Sequence, residues 1–152
     1  MLQDYPNTQL FINGEWQNSK SNETLEIINP ATEEVIGKLS HARKEDLDVA
    51  LNAAENAFNE WKNVSAYERS KIMRKAADIF RSRADYIAKL MTIEQGKPLF
   101  EAKIETLGAA DSIDWYAEEG RRAYGRIIPA RASGVYQFVF KEPVGVVAAF
   151  TP

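Results

Sequence analysis

Apolar residues recur along this chain with three successive periods, and each change of period marks a change of structure. From Leu10 to about Ser40 the pattern is extended. Leu10-Phe11-Ile12 and Glu15-Trp16-Gln17 flank Asn13-Gly14, a pair suited to the tight turn of a hairpin. Leu25 to Ile28 and Val35 to Leu39 flank Asn29-Pro30-Ala31-Thr32, where Pro30 disfavours helix at Asn29, and they predict two further short strands. Leu47, Ala50, Leu51, Ala54, Ala57, Phe58 and Trp61 then follow helical spacing, predicting an amphipathic helix over 44–61 with Glu45 and Asp46 in its first turn. Ser65 with Glu68, and Ser82 with Asp85, have capping-box spacing ahead of two more apolar-periodic stretches. Gly96 predicts a left-handed helix stop. Pro98 suits the first turn of a further helix that carries Leu99, Ala102, Leu107, Ala110, Ile113 and Tyr116 and runs to about Arg122.

The last zone returns to extended structure. Ile127, Ile128, the Ser133-Gly134 turn and alternating Tyr136, Phe138 and Phe140 predict a hairpin between about Arg126 and Glu142. Its faces are too apolar for an isolated ribbon, so it is expected to pack on another part of the protein or another subunit, most simply in a homo-oligomer. Val144, Val146, Val147, Ala148, Ala149 and Phe150, opened by Pro143 and interrupted only by Gly145, read as a strand covered on both faces, as in parallel sheets. Ligands of open α/β sheets lie beyond the carboxyl ends of the strands, which gives Thr151 and Pro152 a ligand-facing position. One such strand makes no sheet, so the sequence reads as the front part of a longer polypeptide.

Composition narrows the function classes. With 152 residues and 45% hydrophobic content the chain is long enough for one core. It has no cysteine, which excludes a disulfide framework, a thiolate zinc site and a cysteine nucleophile within these residues. Residues Met1 to Gln9 lack the basic and apolar regions of a signal peptide, and no apolar stretch approaches membrane length, so a cytoplasmic protein with no membrane partner is expected. Arg121, Arg122, Arg126 and Arg131 are interleaved with Tyr124 and Tyr136. Glu118 and Glu119 adjoin them, and the net charge of −3 gives no electrostatic reason to expect nucleic acid. His41, the single histidine, reads as a surface residue. Glu94, Glu118 and Glu119 have the chemistry of general bases, but helix surfaces carry such residues routinely; no catalytic residue is assigned.

Four motifs, in this order, are shared with a known family: Phe11-Ile12-Asn13-Gly14-Glu15-Trp16, Asn29-Pro30-Ala31-Thr32, Glu94-Gln95-Gly96-Lys97-Pro98 and Glu142-Pro143-Val144-Gly145-Val146-Val147. Through them the chain resembles the N-terminal part of the NAD(P)-dependent aldehyde dehydrogenase superfamily. The resemblance implies an α/β fold of N-terminal hairpins, about four helices, an oligomerisation-type hairpin and the first strand of the cofactor-binding sheet. Residues 1–126 would be the N-terminal part of the cofactor-binding domain, 127–142 the oligomerisation-type hairpin and 143–152 the first sheet strand, with the catalytic domain absent. The stretch from Trp115 to Gly125 is similar to the succinate-semialdehyde dehydrogenase branch; dehydrogenases of other ω-semialdehydes, such as α-ketoglutarate semialdehyde, and a non-catalytic oligomerising module are the alternatives.

The resemblance also implies chemistry. In the family a cysteine thiolate attacks the aldehyde, a hydride leaves to the nicotinamide, and a glutamate activates the water that hydrolyses the thioester. An oxyanion-stabilising asparagine would come two residues after Pro152. These 152 residues alone are therefore expected to be inactive. Phe150, Thr151 and Pro152 would line the nicotinamide side of an NAD or NADP site, while the fragment by itself would bind no cofactor for want of the other contacts. Backbone oxygen near Ile28 and the Glu94 carboxylate, where some relatives carry aspartate, would hold a structural sodium or potassium ion.

Overall fold

Asn13 and Gly14 both take positive φ, 54° and 83°, and this primed two-residue turn joins β1 (Leu10–Ile12) to β2 (Glu15–Gln17) with Leu10 opposite Gln17. The computed structural model in which this is seen describes residues 5, 6 and 8–151. Phe11 and Trp16 face each other across the pair with ring centroids 4.9 Å apart. β3 (Thr24–Ile28) pairs antiparallel with β4 (Val35–Ser40), with an irregularity at Ile27/Ile28. Their turn is shaped by Asn29, whose side-chain oxygen accepts from the Ala31 N–H at 2.9 Å and whose carbonyl accepts from the Glu33 N–H at 2.8 Å. Thr8 joins the same sheet through a parallel bridge to Leu39.

Four helices follow: α1 (Lys44–Trp61), α2 (Ala66–Ser82), α3 (Ala84–Gln95) and α4 (Leu99–Glu119), the last continued by a 3₁₀ turn at Gly120–Arg122. At the start of α2 the Ser65 hydroxyl accepts from the Glu68 N–H at 3.2 Å, whereas the Glu68 carboxylate pairs with Lys71 at 2.9 Å. The second expected capping box does not form. Ser82 is the last residue of α2 and donates to the Ile79 carbonyl at 2.8 Å, and Arg83, which alone separates the two helices, stands at the N-cap of α3 with no side-chain cap bond. Gly96 ends α3 at φ 79°, and Pro98 stands at the N-cap of α4.

Helices α2, α3 and α4 pack together over small side chains: Ala77, Ala84, Ala88, Ala102, Ala110 and Ala117 are buried, with Ser70 and Thr106 among them. On α4, Ala102, Thr106, Ala110 and Ala117 form the inner face. Phe100, Ile104, Leu107 and Trp115, at i, i+4, i+7 and i+15, stand exposed on the opposite one. The core-forming face expected on α1 is likewise uncovered. Leu47, Leu51 and Trp61 are exposed because α1 packs chiefly against short β1.

β5 (Arg126–Pro129) and β6 (Tyr136–Val139) form the predicted hairpin, with Arg126 opposite Val139 and Pro129 opposite Tyr136. The strand expected over 144–150 is a correction: these residues have no regular structure, and Val144 and Phe150 are 92% and 95% exposed. A strand exists only through the neighbours that take up its N–H and C=O groups, and among the described residues none lies beside this run. Among the described residues, four helices and three two-stranded antiparallel sheets make a mixed α/β fold, as expected.

Candidate functional site

The chain leading into the expected cofactor segment lines a cleft of about 320 Å³, where Lys141, Glu142 and Pro143 stand with Trp61 at the end of α1 and Arg69 near the start of α2. Farther along, past Gly145 (φ 111°), Phe150 and Thr151 stand exposed. Pro152, the third expected cofactor residue, lies outside the described residues. Phe150 and Thr151 thus have no second wall opposite them among the described residues.

The turn that follows Ile28 lies against the helix end that carries Glu94. The ring of Pro30, two residues after Ile28, lies 3.2 Å from where a Cβ on Gly96 would be, two residues after Glu94. The β3–β4 turn therefore abuts the α3–α4 corner. Burial pushes the Glu94 carboxyl above the ordinary glutamate value, and among the described residues no ion pair or hydrogen bond compensates it. No cluster of three or more histidine, aspartate or glutamate side chains able to hold a metal occurs among the described residues. Backbone oxygen and a single carboxylate are donors that suit a hard monovalent cation better than a transition metal.

The other candidates are occupied structurally. Glu118 pairs with Arg74 of α2 and with Arg121 at 3.6 Å, and Glu119 with Arg122 at 2.7 Å, so neither carboxylate is free for base catalysis and the arginine cluster is partly neutralised. His41 Nδ1 lies 3.7 Å from the Glu23 carboxylate, beside the Arg43 guanidinium that also holds it. No helix among the described residues is long and apolar enough to cross a membrane.

One polar centre escaped the sequence reading. Asp46 is 4% exposed, and its carboxylate accepts from the backbone N–H groups of Arg43 and Lys20 and from the Ser19 hydroxyl, each at 2.9 Å. Those backbone bonds, Arg43 first, hold its carboxyl below the ordinary aspartate value. Asp46 clamps the 18–23 loop to the start of α1. Its three-residue spacing from Arg43 was visible, but the long-range partners Ser19 and Lys20 were not.

Comparison with known proteins bears on the whole arrangement. The model of the aldehyde dehydrogenase family matches residues 16–152. A 4-(hydroxymethyl)benzenesulfonate dehydrogenase of Comamonas testosteroni is 46% identical over 144 residues, covering 95% of this chain and 30% of that protein. The NADP(+)-dependent succinate-semialdehyde dehydrogenase of Escherichia coli is 40% identical over the same shares. Among solved structures, a succinate-semialdehyde dehydrogenase from Burkholderia pseudomallei superposes with a TM-score of 0.88 at 39% identity, over 91% of this chain and 29% of that one. A Staphylococcus aureus betaine aldehyde dehydrogenase in complex with NAD+ does so at 0.85 and 31%, over 91% and 28%. The chain thus spans about 30% of the length of the curated relatives it matches.

Proposed function

Because this chain belongs to the aldehyde dehydrogenase family, we propose that the whole protein oxidises an aldehyde to its carboxylic acid with NAD or NADP, and that the aldehyde is a short semialdehyde with a distal carboxylate, succinate semialdehyde first. The observation that carries this is the family match over 16–152, together with relatives named for succinate and glutarate semialdehydes at about 40% identity. The reaction balances as aldehyde plus water plus oxidised cofactor giving acid, reduced cofactor and a proton. When bound, the nicotinamide supplies the acceptor for the hydride. The nucleophile comes from outside these residues, which contain no cysteine.

The chain's own share is scaffolding. Residues 1–126 form the N-terminal part of the cofactor-binding domain. Residues 127–142, with Ile127, Tyr136, Phe138 and Phe140 exposed, serve as the oligomerisation hairpin of a cytoplasmic homo-oligomer. Phe150, Thr151 and Pro152 line the nicotinamide end of the cofactor site, and Ile28 and Glu94 hold a sodium or potassium ion. The 152 residues alone are inactive.

A second reading has a specific support. The 46% identical relative is named for a benzenesulfonate, so the distal anion recognised by the whole protein is in this reading an aromatic sulfonate. Absorbance of reduced cofactor, followed with succinate, glutarate and α-ketoglutarate semialdehydes, 4-formylbenzenesulfonate and uncharged aliphatic and aromatic aldehydes, separates the two. Turnover of succinate semialdehyde by the whole protein and none by the 152-residue chain is expected. Preference for the sulfonate favours the second reading; activity on uncharged aldehydes alone overturns both, and turnover by the isolated chain overturns the assignment of the nucleophile.

A further inference from the structure

Three cations from three separate stretches of chain line the cleft of about 320 Å³ between the helix ends. Lys62 follows the last residue of α1, Arg69 lies near the start of α2, and Lys141 follows the β5–β6 hairpin. None of the three forms an ion pair among the described residues, although carboxylates outnumber cations in the chain by 22 to 19. Their donors are largely unused. Lys62 gives one N–H to the Asn59 side-chain oxygen at 3.1 Å and Arg69 gives one to the Val64 carbonyl, which leaves most of the ammonium and guanidinium N–H groups for a ligand. Glu142 is the one carboxylate in the lining, so positive charge prevails there in a chain whose net charge is −3. One wall is aromatic. Lys62 lies 5.3 Å from the centre of the Phe58 ring, whereas Trp61, 44% exposed, has no cation over it among the described residues.

These features select a class of ligand. A phosphate monoester carries about −1.5 to −2 charges at neutral pH and accepts several charge-assisted N–H bonds, which suits three cations set against one carboxylate. A flat ring beside that phosphate has the Trp61 face to stack on. The volume lies at the lower end of small-molecule pockets, enough for a single ring with its phosphate rather than a dinucleotide. We propose that this cleft binds a phosphorylated aromatic compound, its phosphate held by Lys62, Arg69 and Lys141 and its ring laid against Trp61. The bound molecule ties the end of α1 and the start of α2 to the segment that follows the hairpin. This goes beyond the proposed oxidation, which assigns no ligand to these residues.

Titration calorimetry of the whole protein with phenyl phosphate tests the assignment. Binding is expected at least tenfold tighter than that of inorganic phosphate, which lacks the ring, or of benzyl alcohol, which lacks the charge, and unchanged by saturating NADP+. Lys62→Gln and Lys141→Gln, both at exposed positions, should leave the circular dichroism unchanged and weaken binding about tenfold each, the loss expected for a charged hydrogen bond. Lys75→Gln, at an exposed position of α2 outside the cleft lining, should leave the affinity as it is. Phenyl phosphate bound no tighter than inorganic phosphate, displaced by NADP+, or held equally well by the Lys62→Gln/Lys141→Gln double variant overturns the proposal. So does an equal loss in Lys75→Gln, which marks a response to overall charge alone.

Discussion

Ala110→Leu and Ile104→Ala, made on the same helix, should reverse the usual order of core and surface effects. Ala110 is fully buried on the inner face of α4, where small side chains set the distance to the packed helices. Replacing the methyl with an isobutyl side chain there forces the helices apart or the side chain off its rotamer, a cost of about 1–3 kcal/mol. For a chain of this length 1 kcal/mol shifts the melting temperature by about 2–4 °C, so a cost near 2 kcal/mol lowers it by roughly 4–8 °C. Ile104 is 66% exposed, so truncating it removes about a third of the ~1.5–3 kcal/mol of a full burial, under about 1 kcal/mol. Urea titrations and thermal scans of both variants, followed by circular dichroism, measure the pair. If Ile104→Ala destabilises as much as Ala110→Leu, the outer face of α4 is packed in solution and the assignment of its two faces is wrong.

Asp46 should shape the acid limb of stability: its carboxyl titrates below 3.8 when folded, so its contribution is complete above that value and is lost as pH falls through the folded value, and Asp46→Asn should flatten this limb in pH-dependent urea melts. Glu94 has the opposite sign, its folded carboxyl lying above 4.5; Glu94→Gln should therefore raise the melting temperature at pH 7 in cation-free buffer, and sodium or potassium should stabilise the native chain but not the variant. Gly96→Ala should cost about 1–2 kcal/mol in chemical denaturation, since it places a Cβ in the left-handed region 3.2 Å from the Pro30 ring. Ser65→Ala should cost about 1 kcal/mol through loss of the α2 N-cap, measured in the same way.

Local chemistry was the legible part of this fold. Asn13-Gly14, Ser65 and Gly96 each determine their own backbone, and they stand at a hairpin turn, an N-cap and a left-handed stop as read from the sequence. The bounds of α1 followed from a seven-residue apolar series, yet the burial of that series did not, because periodicity identifies a face and says nothing of what covers it. The same gap explains residues 144–150, whose composition specifies a doubly covered strand that has no covering layers among the described residues. Ser82 failed as a cap because a hydroxyl at a helix end has a carbonyl within reach in its own last turn. At the candidate site, Ile28 and Glu94 were expected from resemblance alone, and the approach of Pro30 to Gly96 required the tertiary fold to be seen. The partners of Asp46 lie 26 and 27 residues away, beyond any local pattern.

The alanine-lined contact among α2, α3 and α4 has a calorimetric consequence. Heat capacity rises on unfolding by about 0.45 cal/mol/K for each Å² of apolar surface newly wetted and falls by about 0.26 for each Å² of polar surface. Among the described residues the largest fully buried side chains are Thr106 and Ser19, while many of the large apolar side chains that usually dominate the apolar contribution, Trp16, Phe100, Ile104, Trp115 and Ile127 among them, are already more than half exposed. A domain of 152 residues ordinarily shows an increment near 2 kcal/mol/K, from roughly 12–15 cal/mol/K per residue. This chain should fall well below that, with a correspondingly flat stability curve that changes little between a cold room and body temperature. Covering the outer face of α4 and the run 144–150 would restore the curvature, making the heat-capacity increment a direct gauge of how much of the surrounding protein has assembled.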